Sequence, residues 1–480
     1  MRKNLTVLLI LSLLLGAGMS SAQDNQPSLG STPSGSASPG IQMRGAMGAT
    51  VINGVSYQFF SLRPDIPIWR FGLGLDLSFY FDADGNLREE DWDEAADIID
   101  KIYYLRYGHA GDPFYAKVGS LDPLTLGYGL VMRRYSNAIE WPQVRRIGLH
   151  SQINLAPYGL EMVVNNFREI DSPGLLAARI TYELNLGLPL VFGGTVAYDG
   201  NQFLGAPDAD KDGIPDRVDQ FPGKNDAEHI QWLFNEVGLT ADQVARLVES
   251  GDLPDINNPP ASIADSKDPV TEYGVDVGLP LIRGSKVNLW LYAQAAQIKD
   301  YGRGYTIPGL KFSLGPFFAG AEYRIFEKKF QADYFDLSYE LHRVTWNEAD
   351  HRYETKESRL ENLPAAQGYY ADAGVNLMNW VDIYGAYQQM FYDDADIPSQ
   401  SIYASLNLNT RMVPKLDLAQ GYFQQPNADK PFSTEADGTV LGWRIGMAMA
   451  EGVTLVYDNK TIYYNNKPTH VMTIETVLTF

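Results

Sequence analysis

Apolar and polar positions alternate along successive segments of about ten residues, from about residue 42 to the C-terminus. A period of two places neighbouring side chains on opposite faces of a β-strand, so each segment predicts a strand with one apolar and one polar face. The clearest segment is Trp69 to Phe81, in which every second residue is Trp, Phe or Leu. The pattern returns in the apolar series Ile147/Leu149/Ile153/Leu155, Leu176/Ala178/Ile180/Tyr182/Leu184, Tyr273/Val275/Val277/Leu279/Leu281, Val287/Leu289/Leu291/Ala293, Tyr369/Ala371/Ala373/Val375/Leu377 and Leu441/Trp443/Ile445/Met447/Met449. The fold class is therefore predicted to be all-β.

The number of these segments favours a transmembrane antiparallel β-barrel over a soluble sandwich. Apolar faces of a sandwich must bury one another and leave sheet edges to protect, whereas a barrel closed in lipid has no edges and satisfies every backbone group between strands. Connections also alternate in length, as expected when short turns lie on one side of a membrane and long loops on the other. We expect about 18 strands, within a range of about 16 to 20, because Val51 to Val55 reads either as a hairpin turn or as a strand interior.

The two ends of the chain point to export. Met1-Arg2-Lys3, an apolar stretch from Leu5 to Leu15 and Ser20-Ser21-Ala22 predict a signal peptide over residues 1–22. Residues 23–41 are rich in Ser, Gly and Pro and predict a disordered periplasmic leader, and residues 42–480 make up the barrel. No later stretch reaches the roughly 18 apolar residues that a helical span needs.

The last segment alternates Met472, Ile474, Thr476, Leu478 and Phe480 with polar and smaller residues. A terminal aromatic residue on an amphipathic last strand resembles the recognition signal of outer-membrane β-barrel, porin-like proteins of diderm bacteria. The resemblance implies a place in the bacterial outer membrane, contact with its lipid and lipopolysaccharide, and delivery to the outer-membrane assembly machinery through Phe480.

Composition removes several classes of function. The formal net charge of −21 repels nucleic acid, so no nucleic-acid partner is expected. The chain has no cysteine, which excludes disulfides, thiolate metal sites and cysteine nucleophiles. Its six histidines are scattered, without the spacing of a zinc site or of a nucleophile and its base. We therefore expect no enzyme, although active sites assembled across strands leave no motif in a sequence.

The most specific local motif runs from Asp208 to Asp219. Its carboxylates at alternate positions converge on one cation, and Gly213 permits the sharp turn. The proposed ligands of a structural calcium ion are Asp208, Asp210, Asp212, Asp216 and Asp219. Over these residues the chain resembles a thrombospondin type 3 calcium-binding repeat; a solvated acidic turn is the alternative.

Helical spacing follows the acidic motif, and Thr240 with Gln243 forms a capping box. Residues 200–270 are thus predicted to be a small folded extracellular insertion. Trp92, Ala95, Ala96 and Ile99 predict another short helix.

Strand alternation directs a set of charged side chains toward the barrel interior. Together with the arginines of one long loop, the predicted pore-lining residues are Arg70, Asp76, Arg106, Lys117, Arg133, Arg134, Arg146, Arg179, Glu183, Asp276, Arg324, Asp372, Asp382, Arg444 and Glu475. Opposed charges across a wet channel align polar solutes and penalise apolar ones. The alternative is that these residues pair with one another and close the lumen.

The segment from Thr125 to Asn137 is rich in Gly and Arg and contains Arg133 and Arg134. Folded into the barrel, it would resemble the constriction loop of porins. Placed outside, it would form a basic rim that contacts lipopolysaccharide phosphates. The leading hypothesis is a porin-like channel for diffusion of small polar solutes, because about 16 to 18 strands leave room for an aqueous path. The second is a structural or adhesive barrel whose calcium-stabilised external loop binds a partner.

Overall fold

The computed structural model describes residues 42–479 with internal gaps. The gaps are 53–54, 89–91, 93–100, 140–143, 170–172, 207, 209–213, 216–218, 220, 222–223, 251–252, 254–266, 285, 348–349, 351, 378–380, 394–399, 409–414, 429–431, 433–437 and 465–466. The predicted signal peptide and leader, Phe480 and nearly all of the predicted helix at 92–99 lie outside the described residues.

Strands dominate the described residues, as the alternation predicts. In the first half of the chain they are β1 (Gln42–Ile52), β2 (Val55–Ile68), β3 (Phe71–Leu75), β4 (Leu77–Phe81), β5 (Ile102–Tyr107), β6 (Phe114–Gly119), β7 (Gly148–Leu155), β8 (Tyr158–Val164), β9 (Leu175–Asn185), β10 (Pro189–Asp199) and β11 (Val270–Arg283). In the second half they are β12 (Val287–Ile298), β13 (Arg303–Leu314), β14 (Phe317–Phe326), β15 (Val344–Asn347), β16 (Arg352–Thr355), β17 (Ala366–Leu377), β18 (Val381–Tyr392), β19 (Gln400–Leu408), β20 (Leu416–Ala428), β21 (Val440–Ala450), β22 (Val453–Tyr464) and β23 (Lys467–Thr479).

One antiparallel sheet holds 21 of these strands, and β15 and β16 form a separate hairpin. Most strands of the large sheet pair with their neighbours in sequence. The exceptions are β4, which pairs with β2 while β3 pairs with β5, and the step from β14 to β17, which leaves out the small hairpin. β1 pairs with β2 on one side and with β23 on the other, but only Gln42–Ala46 meet β23, opposite Glu475–Thr479. The two ends of the sheet are thus joined along part of their length, and closure is incomplete.

The predicted number of about 18 strands is wrong. Ile52 pairs with Val55, so the ambiguous segment is a hairpin turn and adds a strand. The segment from Trp69 to Phe81 is not one strand either, because Trp69 and Arg70 form a turn and Asp76 separates β3 from β4. β3 and β4 both pair with β2 in one unbroken register, so together they occupy one position in the sheet.

The two faces of the sheet follow the predicted alternation. In β9, Ile180 and Tyr182 are exposed while Arg179 between the apolar positions is buried. In β11, Tyr273 and Val275 are 50% and 63% exposed, whereas Glu272 is fully buried. The same assignment holds along β17 and β21. The apolar face is therefore the outer one, and the polar face is covered.

Connections divide by length between the two ends of the sheet. Because successive strands are antiparallel, alternate connections lie at the same end. The end here called the turn end carries the connections at 69–70, 108–113, 156–157, 186–188, 284–286, 315–316, 378–380, 409–415 and 451–452. The loop end carries 82–101, 120–147, 165–174, 200–269, 327–365, 393–399 and 429–439, with shorter connections at 53–54, 299–302 and 465–466. All of the long connections lie at the loop end, as predicted, but the three short connections at the same end break the strict alternation.

Two loop-end connections pack against the polar face of the sheet. The first interior segment is residues 120–139 and the second is residues 327–343. Met132 forms a parallel bridge to Phe335, which joins the two segments. Their apolar side chains form a buried cluster with strand residues, and this cluster contains Leu124, Leu126, Leu130, Val131, Met132, Tyr135, Phe330, Tyr334, Phe335, Tyr339, Val163, Leu175, Val270 and Ile298. The sequence singled out Thr125 to Asn137 as a loop that can fold into the barrel, but it gave no sign that residues 327–343 leave the sheet.

The insertion between β10 and β11 contains the two predicted helices, α1 (Asp226–Asn235) and α2 (Ala241–Ser250). The capping box is formed: Thr240 N–H donates to Gln243 Oε1 at 2.8 Å, and Gln243 N–H donates back to Thr240 Oγ1 at 3.4 Å. Ile230, Val244 and Leu253 form its small core. A third short helix, α3 (Tyr339–His342), belongs to the second interior segment.

None of the helices among the described residues is long and apolar enough to cross a membrane.

Candidate functional site

The covered face of the sheet encloses the first interior segment. Tyr128 stacks on Tyr292 of β12 with 3.9 Å between ring centroids, and Leu130 N–H donates to Gln294 of the same strand at 3.2 Å. Arg134 lies over the rings of Tyr384 in β18 and Tyr403 in β19. Lys460 of β22 donates to the carbonyl of Ile139 at 2.8 Å. Contacts with strands this far apart require the sheet to curve around the segment, so Arg133 and Arg134 lie inside it and not at an outer rim.

A four-residue charge cluster connects the two interior segments to the wall. Glu322 in β14 accepts from Arg133 at 2.9 Å and from Arg324 at 2.7 Å. Asp333 of the second interior segment is 3.3 Å from Arg133 and 3.4 Å from Arg324. Both guanidinium groups also lie over the ring of Tyr370, at 4.3 and 4.4 Å from its centroid. The cluster is electrically balanced, because two cations face two carboxylates.

A second cluster surrounds Glu340 of α3. Its carboxylate lies 3.3 Å from Arg146 and 3.5 Å from Arg343, and it accepts from the hydroxyl of Tyr135. Arg343 also lies 3.5 Å from Asp199. These buried pairs fix α3 against the wall, because removing one partner would leave the other as an uncompensated buried charge.

Most of the remaining predicted residues form ion pairs on the polar face. The pairs are Arg179 with Asp276 at 2.5 Å, Arg444 with Asp458 at 2.8 Å, Lys117 with Asp122 at 2.6 Å, Glu183 with Arg283 at 3.0 Å, and Asp76 with Arg63 and Arg145, both at 3.5 Å. Much of the interior charge is thus compensated within the protein.

The other predicted residues divide into three groups. Arg106, Asp372 and Asp382 lie on the covered face, half-buried. Arg70 does not lie on the covered face. It is exposed in the turn between β2 and β3, because the strand that alternation predicts from Trp69 begins two residues later, at Phe71. Glu475 pairs through its backbone with Ala46, and its side chain lies outside what the structure describes.

The predicted calcium motif is described in part. Of its five ligands, Asp210, Asp212 and Asp216 lie outside the described residues. Asp219 accepts from the N–H of Phe221 at 2.9 Å. The calcium site remains a prediction.

Sequence reasoning missed Glu322, Asp333, Glu340, Arg343 and Asp199. Glu322 lies two residues before Arg324 on the same strand face, so the period of two was sufficient to find it. The acidic and basic residues of the second interior segment carry no such signal, because that segment has no regular period.

A cavity of about 110 Å³ lies between the interior segments and the wall. It is bordered by Arg133, Arg134, Asp333 and Asp336, and by strand residues that include Tyr370, Gln388, Ser401, Ile402, Tyr403, Gln424 and Gln425. The lining residues of β17 to β20 lie mainly in the half of each strand that is nearer the loop end. It is a small polar and aromatic pocket within the enclosed face, suited to a solute of a few heavy atoms.

No protein-family model matches the sequence, and no curated protein matches it. Among solved structures, OccK5 (OpdH) of Pseudomonas aeruginosa is similar at 11% identity and a TM-score of 0.31, with 92% of this chain and 96% of that chain covered. The siderophore receptor PirA of Pseudomonas aeruginosa is similar at 6% identity and a TM-score of 0.32, covering 92% and 80%. A mutant of the Rh. blastica porin is similar at 9% identity and a TM-score of 0.27, with 92% of this chain and 99% of that chain covered. Likenesses of this size carry no inference about location, ligands or activity.

Proposed function

We propose that the chain is a porin-like channel of a bacterial outer membrane, through which small polar solutes diffuse. The observation that carries the proposal is the first interior segment, which brings two arginines to the enclosed polar face of a sheet whose first and last strands pair. Segments folded into a barrel in this way narrow it and set the charge of the path. The balanced ion pairs around that segment hold it in place.

The outer face supports the membrane location. Val275, Ile180 and Trp443 are 63%, 58% and 40% exposed, although strands of a soluble protein bury such side chains. An exposed apolar surface of this extent is favourable only against hydrocarbon or a partner. We further propose that this face contacts outer-membrane lipid and lipopolysaccharide, that the sheet closes fully there, and that Phe480 is recognised by the assembly machinery.

Ion current through a planar bilayer tests the channel. Purified protein inserted in the bilayer is expected to give discrete current steps at constant voltage. If insertion is verified by protection of the strands from protease and no current is measured at any voltage, the interior is closed and the channel proposal is wrong.

A second candidate function is adhesion through the insertion, and an exposed apolar surface on α1 and just after it favours this function. Trp232 and Val237 are each 50% exposed, beside a core that buries Ile230. Deletion of residues 226–253 separates the two functions. A channel keeps its current steps without the insertion, whereas an adhesin shows no current in either form and loses its partner.

A further inference from the structure

Arg134 differs from every other charged residue that borders the 110 Å³ cavity. Its side chain belongs to a residue only 7% exposed, yet no described residue accepts a hydrogen bond from Nη2. Its ring contacts with Tyr384 and Tyr403 hold the guanidinium over aromatic faces, which supply no hydrogen-bond acceptor. A buried guanidinium nitrogen without an acceptor is costly, so Nη2 points to a group that is bound there.

The other charges around the cavity are already compensated. Arg133 and Asp333 belong to the balanced cluster with Glu322 and Arg324. Asp336 lies 3.7 Å from Lys356 and accepts from Ser338. Among the charged residues described at the cavity, Arg134 alone has no ion-pair partner within 4.0 Å, so the local charge favours an anion.

We propose that this cavity binds the carboxylate of a small organic anion, with Arg134 as its principal contact. The proposal rests on the proposed channel function and names the class of solute that the channel takes. A guanidinium matches a carboxylate with two parallel hydrogen bonds. The amide side chains of Gln388 and Gln424 and the hydroxyl of Ser401 border the same space and supply further polar contacts.

The cavity lining favours a carboxylate with an organic body over inorganic phosphate. Phe326, Ile402 and Tyr392 border the cavity and offer apolar surface that an inorganic anion cannot use. The volume is somewhat below the roughly 150 Å³ of an apolar cavity that holds benzene, which limits the ligand to a few carbon atoms. Butyrate has the required charge and size.

Calorimetric titration of the full chain in detergent micelles tests the site without requiring current. Butyrate is expected to bind the wild type, whereas butyramide, which has the same shape without the charge, is expected not to bind measurably. Arg134→Gln is expected to weaken butyrate binding at least tenfold, because a hydrogen bond between charged groups is worth more than one tenfold step. Arg134→Lys is expected to bind with intermediate affinity, because an ammonium group lacks the planar fork.

Arg352→Gln is the matched control. Arg352 is the first residue of β16, with a side chain 66% exposed, and its loss is expected to leave butyrate affinity unchanged. The site is wrong if butyramide or inorganic phosphate binds the wild type as tightly as butyrate, or if Arg134→Gln binds butyrate as the wild type does. The butyrate and butyramide comparison uses only the wild type, so it tests the preference for a carboxylate even if Arg134→Gln fails to fold. Arg134→Lys then tests the role of Arg134.

The two proposals fail separately. A protein that binds butyrate through Arg134 but conducts no current keeps the site and loses the channel. A protein that conducts but shows no preference for butyrate keeps the channel and loses the site.

Discussion

At the scale of single residues, Glu322 decides the charge balance of the interior. It lies between the guanidinium groups of Arg133 and Arg324 and also accepts from the hydroxyl of Tyr292 at 2.8 Å. Glu322→Gln is expected to lower the free energy of unfolding by about 3–5 kcal/mol, because two buried cations then lack their shared carboxylate. Denaturant unfolding in detergent micelles, followed by tryptophan fluorescence, measures the change.

Glu361→Gln provides the comparison for Glu322→Gln. Glu361 pairs with Lys329 at the surface and is 59% exposed, so its loss is expected to change stability by less than about 1 kcal/mol. Equal losses for the two variants would show that the interior cluster does not depend on Glu322.

Glu357 carries a pH dependence at the loop end. Burial, followed by the nearby carboxylate of Asp268, raises the pKa of Glu357 to about 8, from an ordinary value of 4.5. The folded protein therefore keeps this proton between about pH 4.5 and pH 8, where the unfolded chain has lost it. The stabilising contribution is complete below pH 4.5 and is lost as the pH rises through 8.

Hydrogen exchange at the loop end measures this effect. Gln202 Nε2 donates to Glu357 Oε2 at 3.4 Å, and the backbone N–H of Glu357 donates to Gln202 Oε1 at 3.4 Å. Amide protection of residues 201–206 and 352–362, corrected for the intrinsic rate, is expected to fall between pH 6 and pH 8.5. Glu357→Gln is expected to remove most of this fall, and an unchanged pH dependence in that variant would assign the titration to another group.

At the scale of elements, the tip of the first interior segment is fixed by one glycine of the wall. The hydroxyl of Tyr128 lies against Gly278 of β11, where a Cβ atom would be placed. Since Tyr128 also stacks on Tyr292, Gly278→Ala is expected to displace the tip and to lower the free energy of unfolding by about 1–3 kcal/mol. Single-channel recording is expected to show an altered conductance.

Gly194→Ala on the neighbouring β10 is the control for Gly278→Ala. The nearest atom to its added Cβ is Ile180 Cγ2 at 3.8 Å, an ordinary contact distance. This variant is expected to keep wild-type stability and conductance. If both variants behave like the wild type, the tip is not held by Gly278.

The insertion gives the prediction for calcium. If Asp208 to Asp219 hold the ion, chelation removes the positive charge that keeps these carboxylates together. Protease is then expected to cut residues 200–270 faster in the presence of chelator, while the strands stay protected. Gel analysis of timed digests follows both regions, and equal cleavage with and without chelator would argue against the ion.

The elements also show what a sequence can predict. A period of two fixed the outer faces of β9, β11, β17 and β21, because each strand position has only two directions for its side chain. The helices of the insertion were predictable from their spacing and from the capping box at Thr240. The second interior segment was not, because its fold depends on contacts such as Met132 with Phe335 that join distant parts of the chain. Arg70 was misplaced because alternation continues through the turn at Trp69 without a change of pattern.

At the scale of the whole molecule, the proposed membrane location and channel both require that the apolar face of the sheet meets hydrocarbon. The outer face exposes large apolar residues along strands on all parts of the sheet, from Phe60 in β2 to Met472 in β23. The inner face carries the ion pairs and the interior segments. The sequence alone could not determine this arrangement, because apolar and polar residues also alternate along the strands of a soluble sandwich. The pairing of β1 with β23 supports the barrel.

Site-directed spin labelling in liposomes measures that arrangement directly. The chain has no cysteine, so single cysteines placed at Ile180 and Thr181, adjacent residues on opposite faces of β9, label one site each. Ile180 is 58% exposed on the outer face. The label at Ile180 is expected to be relaxed more by oxygen, which concentrates in hydrocarbon, than by a water-soluble nickel complex, and the label at Thr181 is expected to show the reverse. A label at Ile180 that is relaxed mainly by the nickel complex would contradict the membrane-spanning sheet and, with it, the channel.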